Sequence, residues 1–254
     1  MVRRSRRGRA LKVTDREDAR MLPRKRRGTG KRWPGGLVGA VVVASLLAGA
    51  VGCADERDGT GRAKEPEDRS VAPTELCGGK AVSAEAGEAL KVITGTTRFE
   101  GWSDYPTVAH GAQELRKRLT FAVVGDGDVC RFFPLGDMPD SHFRVTWELV
   151  EGAPTGEPDP KFTELAMGER ALTARDAAFL QFACRSEGIA DSPSVLHIQI
   201  GVENWAFPKR FRADPKILEN AHATVAHSFS LAMAKELGCE NDGGLAARPS
   251  LDPA

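Results

Sequence analysis

Between residues 195 and 203, Leu196, Ile198, Ile200 and Val202 fall on one side of an extended chain, and His197 and Gln199 fall on the other. Alternation with a period of two predicts a strand with one buried face. Phe143, Val145, Trp147 and Leu149 alternate in the same way with Arg144, Thr146 and Glu148. Weaker strand patterns cover residues 96–102, 120–124, 129–133, 162–167, 170–173 and 177–184, and the Gly-Asp-Gly-Asp run at 125–128 reads as a turn. Helical spacing replaces this pattern at both ends. Val82, Ala86, Leu90 and Ile93 recur along one helix face, with Ser83 as N-cap and Gly95 as the stop. Val108, Ala112, Leu115 and Leu119 predict a second helix over 104–118, weakened by Gly111. The third helix, over 215–237, has the clearest boundaries: Asp214 caps it, Pro215 takes the first turn and Gly238 ends it. Its buried stripe is expected from Leu218, Ala221, Val225, Phe229, Ala232 and Met233. Helices outside and strands between predict an α+β fold, with helices packed on a mainly antiparallel β-sheet and a long C-terminal helix.

A different pattern fills the first fifth of the chain. Residues 34–54 carry no charge, and their strongly apolar part, 37–51, is about 15 residues long, short of the roughly 20 needed to span a bilayer. Before it, residues 1–36 hold 14 Lys/Arg against 3 Asp/Glu, a net of +11. From Cys53 onward there are 22 Lys/Arg against 32 Asp/Glu, a net of −10. The overall charge of +1 thus hides a basic head on an acidic body. A basic segment, a short apolar core and small residues at 48–52 compose a secretory signal. The acidic body repels phosphate and argues against nucleic acid as a partner. Met21 supplies a second possible start, followed by an ordinary basic segment, with Cys53 32 residues downstream.

Ala50-Val51-Gly52-Cys53 resembles the lipobox of bacterial lipoproteins, although Ala50 stands where that family most often has Leu. The resemblance implies a diacylglyceryl group on the Cys53 sulfur, cleavage before Cys53 and an anchored mature protein. It places the body on the outer face of the bacterial cytoplasmic membrane, since positive residues stay inside. On this reading residues 1–52 are removed and 53–73 form a flexible tether spanning roughly 25 Å. Residues 74–240 form one globular domain, and 241–254 form a disordered tail.

Four further cysteines remain: Cys77, Cys130, Cys184 and Cys239. An even number in an exported domain predicts two disulfides, and of the three possible pairings Cys77–Cys130 with Cys184–Cys239 is favoured. No CxxC pair points to a redox or zinc site.

Candidate chemistry is sparse. No nucleophile elbow, Walker loop, dinucleotide fingerprint or His-Glu-x-x-His sequence occurs. His222 and His227 are five apart on a helix and diverge by roughly 140°, so they do not form a ligand pair. His110 is isolated, and His197 is expected to face solvent or a neighbour on its own strand. Asp137, Asp140 and His142 read as a polar loop before a metal site, and Asp126 and Asp128 read as a turn before a calcium site. One stretch concentrates interface chemistry: Trp205, Phe207 and Phe211 with Lys209, Arg210 and Arg212. The expectation is therefore a lipid-anchored binding or interaction module of the bacterial cell envelope. Its expected partners are the membrane, an envelope protein or a cell-wall polymer, and no cofactor or metal is expected. The alternative is an envelope hydrolase with a dispersed site.

Overall fold

The computed structural model describes residues 69–101, 106–119, 125–136, 141–186, 195–205 and 213–254. Strand β1, Ser70–Val71, pairs antiparallel with β2, Phe99–Glu100. Residues 70 and 71, expected at the end of a tether, are therefore held in the fold. Helix α1, Ala84–Thr94, starts where the Ser83 side chain accepts from the Ala86 N–H and stops at Gly95 in the left-handed region. Helix α2 is Val108–Leu119.

Six strands follow: β3 Gly125–Phe132, β4 His142–Val150, β5 Thr163–Leu165, β6 Arg170–Ala174, β7 Ala177–Cys184 and β8 Leu196–Trp205. They form one antiparallel sheet in the order β3-β4-β8-β7-β6-β5. The α+β fold read from the sequence is the fold observed. One difference is the Gly-Asp-Gly-Asp run, which is the start of β3 and not a turn. Gly127 lies opposite Trp147, and a Cβ there would come within 2.8 Å of the indole. The missing side chain lets the buried indole lie against the neighbouring strand.

Helix α3, Pro215–Leu237, is capped by Asp214, whose side chain accepts from the Lys216 N–H. It packs on β6, β7 and β8 and carries α1, while α2 lies on β3 and also touches α3. Being covered on several sides changes what α3 requires. Every residue from 221 to 230 is buried, where the sequence predicts a single stripe, and Ala232 of that stripe is only half-buried. The polar members find local partners. Ser228 Oγ donates to the Ala81 carbonyl and accepts from the Ser83 N–H, tying α3 to the start of α1. Phe132 joins the layers, stacking on Phe143 at 4.9 Å and on Phe229 at 6.4 Å.

Both disulfides are those expected: Cys77–Cys130 joins the turn before α1 to β3, and Cys184–Cys239 joins the end of β7 to the end of α3. The last residues depart from the expected disordered tail. Leu245 is buried, His227 Nε2 lies 3.0 Å from the Ala246 carbonyl oxygen, and Pro253 bridges to Leu165 at the β5 edge. The Ala166 N–H donates to the Asp252 carbonyl, so this tail covers part of an edge strand that would otherwise stay unpaired. Among the described residues no helix is long and apolar enough to cross a membrane.

Candidate binding surface

The inner face of the sheet is consumed by the core, so solvent-facing chemistry collects on the outer face. Over β6 and β7 the loop at 151–162 covers part of that face. Gln181 Nε2 donates to the Gly152 carbonyl, Arg170 Nη2 donates to the Gly156 carbonyl, and Phe162 packs edge-on against Phe179. Phe179 in turn lies across Gly201, where an added Cβ would meet its ring at 2.9 Å.

At one end of the β4–β8 pair the outer face carries an aromatic row. His142 is the register partner of Trp205, and their rings lie 6.3 Å apart and 12° from parallel. Phe133, just beyond β3, continues the row, 5.6 Å from His142 and 27° from parallel. Beneath it, Ser141 Oγ donates to Asn204 Oδ1 in a buried bond that fixes the two strand ends. Trp205 is 53% exposed, the most exposed large apolar side chain among the described residues. Strand β7 pairs with β8 only as far as Ala177–Glu203, so it does not flank Trp205. Burial first, then the nearby Arg131 charge, lowers the His142 pKa below its ordinary value, which keeps this ring neutral near pH 7.

The adjoining rungs are charged but paired. Arg144 stands opposite Glu203 and donates from Nε to Asp128 Oδ1 at 2.7 Å, and Arg131 reaches Asp128 Oδ2 at 2.9 Å. Asp128, expected in a turn, is thus an anchor for two guanidinium groups. His142, weighed with Asp137 and Asp140, is an aromatic neighbour; those two aspartates lie outside the described residues, and among the described residues no metal-binding cluster occurs. Of the aromatic and basic stretch, only Trp205 is described; Phe207, Lys209, Arg210, Phe211 and Arg212 lie outside the described residues. Cys53 does too.

At the opposite end of β8 lies a feature not singled out from sequence. His197 Nδ1 is 2.8 Å from Glu169 Oε2 and 2.9 Å from Oε1, and Gln181 Nε2 also reaches Glu169 Oε2 at 3.3 Å. In the tautomer with its hydrogen on Nδ1, this imidazole keeps Nε2 as an acceptor. The partner of His197 is therefore not solvent or a neighbour on its own strand but a carboxylate from the β5–β6 turn, 28 residues away in sequence, which no local pattern indicates.

A third feature is a groove of about 340 Å³ beside the Cys77–Cys130 disulfide, with Leu76, Pro106 and Thr107 on its walls and Glu75 and Arg131 at its polar positions. Glu75 is occupied as a cap, accepting from the Ala72 N–H, and Arg131 is held by Asp128. His222 and His227 belong to none of these places. The first is buried in α3 with Nδ1 2.9 Å from the Leu218 carbonyl oxygen, and the second is held by the C-terminal segment. No family model matches the chain, and neither a curated protein nor a solved structure is similar to it.

Proposed function

We propose that the protein is a lipid-anchored extracytoplasmic binding module of a bacterial cell envelope, with Cys53 as its anchor and the outer sheet face as its working surface. The observation that carries the binding part is the aromatic row ending in exposed Trp205 on a disulfide-braced sheet. A rigid sheet presents an aromatic side chain at small entropic cost, and exposed Trp is characteristic of binding surfaces. Two disulfides suit an oxidising compartment, which supports export. The anchor is tested by fractionating cells that express wild type and Cys53→Ala. Release of the variant from the membrane is expected, and equal retention refutes the anchor. The binding role is tested by crosslinking on intact cells, where failure to retain any envelope component refutes it.

The second reading, an envelope hydrolase, is favoured by the His197–Glu169 pair. There Glu169 holds the imidazole so that Nε2 serves as a general base. A screen of envelope polymers and esters decides it: hydrolysis abolished by His197→Ala supports this reading, and hydrolysis untouched by that change removes it.

A further inference from the structure

We propose that Trp205, backed by His142 and Phe133, is a stacking platform for the pyranose rings of an extracellular glycan, an inference that rests on the binding-module reading. A pyranose offers a flat face of C–H groups and a rim of hydroxyls. Its recognition requires an aromatic face for the first and fixed polar side chains for the second. Both stand on adjoining positions here. Trp205 and His142 form one cross-strand pair, and Glu203 and Arg144 form another two residues along the same face. The three rings lie within 27° of parallel from one neighbour to the next, so His142 backs the indole and Phe133 backs His142. A side chain with such a neighbour has less freedom to lose on stacking.

Charge distinguishes this occupant from an anionic lipid surface. A lipid-binding patch presents cations free to reach headgroups. Among the described residues, the guanidinium groups of Arg131 and Arg144 beside the row both bind Asp128, and Glu203 stands on the same outer face of β8. Lowering of the His142 pKa by burial adds a neutral ring and not a third cation. The described surface is therefore aromatic and locally balanced in charge, which suits a hydroxyl-rich neutral polymer. The His197–Glu169 pair lies at the far end of β8 and takes no part.

The test uses the secreted full domain from Cys53 onward with both disulfides formed, as wild type, Trp205→Ala, Trp205→Phe and Val92→Ser. The last change removes an exposed apolar side chain on α1 and controls for general stickiness. The probes are chitotetraose, cell-wall sacculi stripped of anionic polymers, and phosphatidylglycerol vesicles. Wild type and Val92→Ser are expected to bind both glycan probes equally. Trp205→Ala should weaken binding by roughly fivefold to tenfold, and Trp205→Phe should restore most of it, since one aromatic contact has about that effect. Circular dichroism and thiol counting confirm that each variant is folded and oxidised. Absence of glycan binding by wild type overturns the proposal, as does equal binding by Trp205→Ala or binding to vesicles alone. A protein captured on intact cells and lost in Trp205→Ala, with no glycan bound, overturns the glycan and leaves the binding-module reading standing. Capture of nothing removes both.

Discussion

Lowering the pH should destabilise this fold, with the largest histidine contribution from His222. It is fully buried in the middle of α3, with its ring 6.3 Å from Phe143. Nδ1 is satisfied by the Leu218 carbonyl, whereas Nε2 has no partner among the described residues. A proton on Nε2 would place a charge in the core with nothing to receive it. Burial accordingly pushes the pKa down to about 4 from 6.5, against smaller upward pulls from the Leu218 bond and the Asp176 charge. The unfolded chain takes up this proton near pH 6.5 and the folded chain only near 4. As pH falls through that window the unfolded state binds more protons, so stability falls with pH and is fully present above the window. Between about pH 7.5 and about pH 4.5 the loss from this group is about 2.5 kcal/mol. The assay is urea unfolding of wild type, His222→Phe and His222→Gln at both pH values. Other titrating groups, His227 included, act in all three proteins and cancel in the difference. Wild type is expected to lose about 2.5 kcal/mol more than either variant on acidification, whatever the offset at neutral pH. Parallel pH profiles would refute the assignment of a buried, neutral His222.

Three further changes test the packing. Replacing both Cys184 and Cys239 by Ala opens a loop of 55 residues and should cost about 4 kcal/mol on the chain-entropy account, read as a lower Tm; an unchanged Tm contradicts a constraining role. Gly127→Ala drives a Cβ to 2.8 Å from the Trp147 indole and should cost roughly 1–3 kcal/mol; an unaltered denaturation midpoint means that the indole can move aside. Ser83→Ala removes the α1 cap and should cost about 1 kcal/mol, with faster amide exchange at Ala86 as the local signature.

Most of the fold was legible because the apolar positions obey two clean periods. The limits of β7 and α3 fall where alternation, Asp214, Pro215 and Gly238 place them. The errors share a cause, which is that long-range partners override local preference. Gly-Asp-Gly-Asp has turn chemistry, yet Trp147 across the sheet needs the space over Gly127 and Arg144 needs Asp128. The C-terminal segment is short of large apolar residues, yet the β5 edge gives its backbone a partner. The burial of residues 221–230 of α3 on all sides was hidden because Ala, Ser, Thr and His there are small or polar. Only the arrival of α1 shows what they face.

The candidate surface was half legible for a related reason. Composition singles out Trp205 among basic and aromatic neighbours, since such a cluster is unusual in an acidic body. It does not single out His142 or Phe133, because each looks like an ordinary member of its strand or loop. What joins them is register: β4 runs antiparallel to β8 so that residue 142 meets residue 205, and β3 ends where Phe133 can follow. The same register sets Arg144 against Glu203 on the next outward pair. A one-residue slip would turn the row into the core and place Phe143 and Asn204 outside. The buried Ser141–Asn204 bond and the Phe132–Phe143 stack oppose that slip, so the surface that presents Trp205 is specified by the core beneath it. Binding at Trp205 should therefore be sensitive to Asn204→Ala, a change that touches no solvent-facing atom of the row. Loss of affinity with the fold retained is the expected result, and unchanged affinity would show that the row is positioned by other means.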